Sequence, residues 1–368
     1  MIRFATFFVL AAVLLLTAFR LRLYDSTEPV LPETPYNYAN IALPSHITVA
    51  TSRLADNTPA NNEITDTGAT LGRVLFYDKR LSLNQTVACA SCHHQDHGFA
   101  DTTSFSTGFD GEKTERNAMS LAFGRFYQPG RFFWDERAET LEEQTLIPIQ
   151  DPIEMGMTLE GVVARLNATN FYPALFADAF GTQEITPGRM SRALSQFVRS
   201  IVAPNSRYDQ ERAYQGGRTG QRLPNFTSQE NRGLQLFFGP ARCSECHGGD
   251  LQITDRPFSN GLDAFPTDRG VRFGLFKVGS LRNIELTSPY MHDGRFETLE
   301  EVVEHYDSEI QPSPALFVSL RDTNGQPVRL NLSEKDSGAI VAFLKTLTDE
   351  TLATDERWSN PFSVSEGE

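Results

Sequence analysis

The chain has 368 residues, 40% of them hydrophobic and 22% charged, with a formal net charge of −14. That size supports two domains or one large one, and the composition is that of a soluble globular protein. The acidic balance argues against a nucleic-acid partner and favours a basic one, such as a small cationic redox protein.

In chain order, an apolar run from Phe4 to Phe19 follows Arg3. Its length suits a signal-peptide core better than a full membrane span. Arg20 and Arg22 come next, with no clear A-x-A cleavage site, so residues 1–22 read as a signal peptide or an uncleaved N-terminal anchor. Residues 23–54, rich in Pro and polar side chains, read as a tether. A first domain over 55–204 then carries helical apolar spacing at Leu71–Tyr77, Thr158–Leu166 and Arg189–Ile201. Gly216, Gly217 and Gly220 mark a linker at 205–224. A second domain over 225–350 repeats the helical spacing at Glu230–Phe238 and Glu334–Leu347, and 351–368 is left as a C-terminal tail. Thr140 with Glu143, and Thr298 with Glu301, have the T-x-x-E spacing of a helix-starting capping box.

All four cysteines lie in two strings, Cys89-Ala90-Ser91-Cys92-His93 and Cys243-Ser244-Glu245-Cys246-His247. C-x-x-C-H is the pattern of c-type haem attachment. Two thiols three apart can form thioether bonds to the haem vinyl groups, and the adjacent His then serves as proximal ligand to iron. A zinc ribbon would separate its Cys pairs by roughly 15–20 residues, far fewer than here. A thioredoxin-like pair needs no following His. Two covalently bound haem c groups are therefore expected, and covalent attachment itself suggests export.

The chain repeats itself. Asp135-Glu136-Arg137-Ala138-Glu139-Thr140-Leu141-Glu142-Glu143 matches Asp293-Gly294-Arg295-Phe296-Glu297-Thr298-Leu299-Glu300-Glu301. Arg116-Asn117 matches Arg282-Asn283; Gly72 to Phe76 matches Gly233 to Phe237; Asp101 matches Asp255. The expected class is mainly α, two small haem domains related by internal duplication.

The repeat also compares the two irons. Whether a side chain fills the sixth position decides between electron transfer and chemistry. Tyr306 follows Glu301 at the spacing at which Pro148 follows Glu143. Proline cannot ligate iron. If Tyr306 reaches haem 2, haem 1 is open and haem 2 closed. His305, Met291 and His292 are rival ligands by chemistry.

From about Leu71 to Leu347 the chain resembles the bacterial dihaem cytochrome c peroxidase family, which includes the MauG-type enzymes. Beside the haem strings, the likeness lies in Phe133-Trp134-Asp135, Glu143-Gln144, Pro152-Ile153-Glu154-Met155, Leu281-Arg282-Asn283 and Pro289-Tyr290-Met291-His292-Asp293-Gly294. The resemblance implies two cytochrome-c-like helical domains, with an N-terminal haem that reacts with hydrogen peroxide and a C-terminal one that passes electrons. It implies that Glu154 moves a peroxide proton, that Gln144 orients the peroxide, that Pro148 lies over the open iron and that Trp134 sits between the haems. It implies an interdomain Ca2+ held by Asn117, Thr287 and Pro289, which as oxygen donors suit that ion. Many members are homodimers.

Two departures matter. Tyr306 stands where the peroxidases carry an axial Met and MauG-type proteins carry Tyr; Met raises a haem potential, whereas a hard, anionic tyrosinate favours ferric and higher states. The distal His of many peroxidases is replaced by the neighbourhood Gly108-Phe109-Asp110, and His94 and His97 follow His93 too closely to cross to the other haem face. Haem 1 is expected to be open. The leading reading is a periplasmic peroxidase, soluble or tethered, fed through haem 2 by a small c-type cytochrome or cupredoxin. Alternatives are MauG-type oxidation of a partner protein, a pure electron-transfer cytochrome, and a sensor of diatomic gas.

Overall fold

The computed structural model describes residues 28–47, 55–215 and 219–362. The apolar run at Phe4–Phe19 lies outside them. Among the described residues there is no strand, only isolated bridges such as Phe132 with Ala138 and Tyr290 with Phe296. None of these residues forms a helix long and apolar enough to cross a membrane.

Helix α1 spans Asp66–Tyr77, capped by the Thr65 hydroxyl, which accepts from Gly68 N at 3.0 Å. Short helices α2 (Leu141–Gln144) and α3 (Ile147–Gln150) follow, then α4 (Leu159–Asn167), α5 (Tyr172–Phe180) and α6 (Pro187–Ser200). α1 packs on α6 so closely that a Cβ on Gly72 would lie 2.0 Å from the Ala193 carbonyl oxygen. Glycine is what lets the two backbones meet. A second core is built the same way: α8 (Ser228–Phe237) crosses α10 (Glu334–Lys345), and a Cβ on Gly233 would lie 1.8 Å from the Ala339 oxygen. Phe197 and Phe343 close the two crossings.

The T-x-x-E pairs behave differently. Thr298 and Glu301 form a complete capping box at α9 (Leu299–Glu304). Thr140 caps α2 through Glu143 N at 3.1 Å, but the Glu143 carboxylate turns back to Glu139 N at 2.8 Å.

The stretch expected as a linker is not a bare connector. It carries α7 (Arg207–Gln215), whose Tyr208, Asp209 and Arg212 are buried. Tyr208 and Arg212 both reach Asp250, each at 2.9 Å, and Asp209 receives Ser206, His46 and Arg282. Paired charges pin this helix despite its polar composition.

The segments read as tether and tail also pack. Tyr38 and Trp358 are buried in the first core. Tyr38 N and Ala39 N donate to the Asp66 carboxylate at 2.8 and 2.9 Å, and Val30 N donates to Pro361 O at 2.7 Å. Tyr77 donates to Trp358 O at 2.6 Å, and Trp358 Nε1 to Ser200 O at 3.2 Å. Both chain segments thus complete the N-terminal unit.

Candidate haem sites

Each C-x-x-C-H string folds into one tight turn. Cys92 N and His93 N both donate to Cys89 O, at 3.2 and 3.0 Å; Cys246 N and His247 N both donate to Cys243 O, at 3.2 and 2.9 Å. Burial pushes the Cys89 thiol up to about 12 and Cys92 up to about 11. Each pair keeps company with one imidazole, and no group of three or more His, Cys, Asp or Glu that could hold a metal ion occurs among the described residues. That donor set fits thioether-linked haem rather than zinc.

Behind the first turn lies a cavity of about 370 Å³ whose walls include Cys92, His93, Trp134, Gln144, Pro148 and Glu154. All six were chosen from sequence, and they meet at one place. Burial lowers the His93 pKa, and its Nδ1 lies 2.9 Å from the Phe99 carbonyl, which can only accept. Nε2 is left with its lone pair for iron. His93 is the one histidine among the residues lining this cavity; His94 and His97 lie off it.

Glu154 gets its place from Asp151, whose carboxylate accepts from Ile153 N at 2.8 Å and Glu154 N at 3.1 Å. Burial first, then the Asp151 charge, push Glu154 up to about 7, while Arg137 pulls it down. A carboxyl near neutrality can both take and return a proton.

The second turn faces a cavity of about 260 Å³, lined by Cys243, Cys246, His247, Met291, His292 and Tyr306 among others. Burial lowers His247 to about 4, which keeps it neutral for ligation. Tyr306 lies on a π-turn, His305–Glu309, that continues α9. Such single π-turns often mark functional positions, because the extra residue re-aims a side chain. The Tyr306 hydroxyl accepts from Asn260 Nδ2 at 3.3 Å, and the same Nδ2 lies 3.4 Å from the Met291 sulfur. His305 is occupied by Asn260 O at 3.1 Å, and His292 stacks on Phe276 at 3.8 Å.

Trp134 lines both cavities, with its Nε1 donating to Asn117 O at 2.8 Å. So does Lys277, which the sequence did not single out; its N–H donates to Trp134 O at 2.8 Å. No motif or spacing in the sequence marks it. Asn117, Thr287 and Pro289 all line the second cavity, and Asn117 N donates to His292 O at 2.8 Å across the two units.

Two half-buried C-x-x-C-H turns, each facing its own cavity and with Trp134 on the wall of both, define a dihaem c-type protein. The chain belongs to the di-haem cytochrome c peroxidase family, MauG proteins included: residues 66–217 match the family profile described as di-haem cytochrome c peroxidase. It is 33% identical over 310 residues to methylamine utilization protein MauG of Methylorubrum extorquens, across 80% of this chain and 82% of that one. It is 32% identical over 309 residues to cytochrome c551 peroxidase of Nitrosomonas europaea, with the same coverage of 80% and 82%. The solved structure of a MauG-like protein associated with microbial copper homeostasis superposes with a TM-score of 0.73 at 36% identity, covering 88% of this chain and 99% of that one. Two haem c groups, and oxidoreductase chemistry on peroxide, follow from that membership.

Proposed function

We propose that the chain reduces hydrogen peroxide at its N-terminal haem and draws the two electrons from residues of a partner protein, in the MauG manner. The observation that carries this reading is Tyr306 in the second cavity, where a carrier-fed peroxidase needs a Met. Bound in these cavities, haem supplies the iron that delivers electrons to peroxide.

The protein's own residues do the rest. His93 Nε2 would hold the haem iron, and Pro148 on the wall of the same cavity offers no competing ligand, which would leave room for peroxide. Glu154 takes the proton from the inner peroxide oxygen and returns it to the outer one, which eases O–O cleavage. The Gln144 amide orients the peroxide. Trp134 offers a π-system between the haems. Tyr306, bound as an anion, would favour oxidised iron at haem 2. Asn117, Thr287 and Pro289 are proposed to hold Ca2+ through oxygen donors at the junction of the units. The periplasm is the proposed compartment, and the two units are read as copies of one ancestral unit.

Reduction by a small c-type cytochrome or cupredoxin is the second reading. The net charge of −14 and the resemblance to a cytochrome c551 peroxidase favour it. One experiment separates them: add one equivalent of hydrogen peroxide to the oxidised protein, follow the haem spectrum, then add reduced c-type cytochrome. Slow discharge by the cytochrome supports the partner-protein reading. Fast discharge with turnover overturns it in favour of the carrier-fed peroxidase.

A further inference from the structure

The loop that presents Trp134 also holds a phenol that the reading above leaves unused. Tyr127 is 0% exposed and forms part of the wall of the first cavity, with His93. Its hydroxyl donates to the carboxylate of Glu136, itself 8% exposed. Lys277 Nζ sits 3.9 Å from the ring centroid, held there by Arg131 O at 2.8 Å.

Most buried phenols need only some acceptor. Tyr38, Tyr77 and Tyr290 are satisfied by backbone carbonyls. Tyr36, Tyr172 and Tyr208 bond to carboxylates, but none of them lines either haem cavity. Tyr127 combines a carboxylate partner with a place on a haem cavity wall. That pairing has a chemical meaning. Removing an electron from a phenol makes its O–H strongly acidic, and a buried site can release that proton only to a base already in contact.

We propose that Tyr127 is an electron donor to the peroxide-oxidised N-terminal haem, with Glu136 taking its proton. The inference rests on the proposed peroxide chemistry at that haem. Hydrogen peroxide is the oxidant: its O–O bond breaks, and with two electrons from the haem site and two protons from solvent its two oxygens leave as two waters. Tyr127 returns one of them. Its O–H bond breaks, the electron passes to the haem, and the proton passes to the Glu136 carboxylate, leaving a neutral tyrosyl radical beside a carboxylic acid. An electron from the reducing partner and the proton from Glu136 restore the phenol. Tyr127 thus stores one oxidising equivalent away from the iron.

The test uses the full-length dihaem protein, grown with ring-deuterated tyrosine and with ordinary tyrosine. Each sample is mixed with one equivalent of hydrogen peroxide, frozen and measured by electron paramagnetic resonance, with the haem absorption recorded in parallel. A radical signal that narrows on deuteration, and that disappears in Tyr127→Phe while the haem still responds, is the expected result. Glu136→Gln keeps the phenol but removes the base, and should cut the radical yield at least fivefold; it carries the test should Tyr127→Phe not fold. A haem response with no tyrosyl signal, or a signal unchanged in Tyr127→Phe or in Glu136→Gln, overturns this inference alone. No haem response overturns the peroxide chemistry and this inference with it.

Discussion

Arg116 of the N-terminal unit grips Asp268 of the C-terminal unit through two parallel hydrogen bonds, Nε to Oδ2 at 2.7 Å and Nη2 to Oδ1 at 2.8 Å. Its remaining nitrogen, Nη1, holds Asp135 at 2.7 Å, next to Trp134. One guanidinium therefore fastens the loop between the haems to the opposite unit. A planar fork matches two carboxylates as a lysine could not. Arg116→Ala should cost about 1–3 kcal/mol, since charged hydrogen bonds are lost from a site that water partly screens. Calorimetry reads this as a lower unfolding temperature. Arg116 holds Asp268 below the ordinary carboxylate range. The pair's contribution is therefore present above the unfolded carboxyl pKa and fades as pH falls through the depressed value. Equal stability of wild type and variant at neutral pH would rule the clamp out.

In the proposed mechanism Glu154, pushed up to about 7 by burial, must be ionised to accept the peroxide proton. The rate constant for the peroxide reaction should rise with pH through about 7 and level off above it. Glu154→Gln should flatten that profile and slow the reaction by roughly 10²–10⁴-fold, the usual share of a positioned acid–base group. The folded state holds this proton more tightly than the unfolded state, so Glu154 weakens the fold as pH rises from the ordinary Glu value to about 7. At pH 8 the Gln variant should unfold no sooner than wild type. Stopped-flow mixing and a thermal melt measure both.

With Tyr306 as the proposed ligand, Tyr306→Met would exchange a hard anionic donor for a soft neutral one. The reduction potential of the C-terminal haem should rise by on the order of 100 mV or more, axial ligands being a main lever on haem potential. Discharge by reduced cytochrome c should quicken as well. A spectroelectrochemical titration that finds the same potential in both proteins would remove Tyr306 from the ligand set.

Gly72→Ala and Gly233→Ala would each improve helix propensity by roughly 1 kcal/mol in an open helix. Here the added Cβ would meet a backbone carbonyl at 2.0 and 1.8 Å. Both variants should instead lose at least about 1–3 kcal/mol, as overpacked cores do. Denaturant titration of each holoprotein reads the loss; a gain in stability at either glycine would show that the helices can slide apart freely.

Much of this could be read from residues alone because the signals were local. The helices around Leu71, Glu230 and Glu334 announce themselves by apolar spacing, and C-x-x-C-H carries its own chemistry. Gln144, Pro148 and Glu154 meet His93 through a path that no period encodes, and the likeness to a known family brought them together. The π-turn under Tyr306 was not legible, since it depends on how α9 ends against Asn260. The packed segments around Tyr38 and Trp358 were read as tether and tail because they are irregular and polar. Their burial comes from pairing with each other and with α1, a relation between distant parts of the chain. Lys277 was missed for the same reason: its surroundings, Tyr127, Phe132 and Arg131 O, lie far upstream.

That the last stretch, with Leu352, Trp358 and Phe362, completes the first core bears on how the protein is made. A ribosome releases the N-terminal unit long before Trp358 exists. The first haem turn must wait, or receive its haem, in a half-built domain. The contact between Val30 and Pro361 joins residues near opposite ends of the sequence, and such long-range contacts form slowly. Loss of the stretch from Leu352 to Phe362 would thus damage the unit that carries the first haem turn.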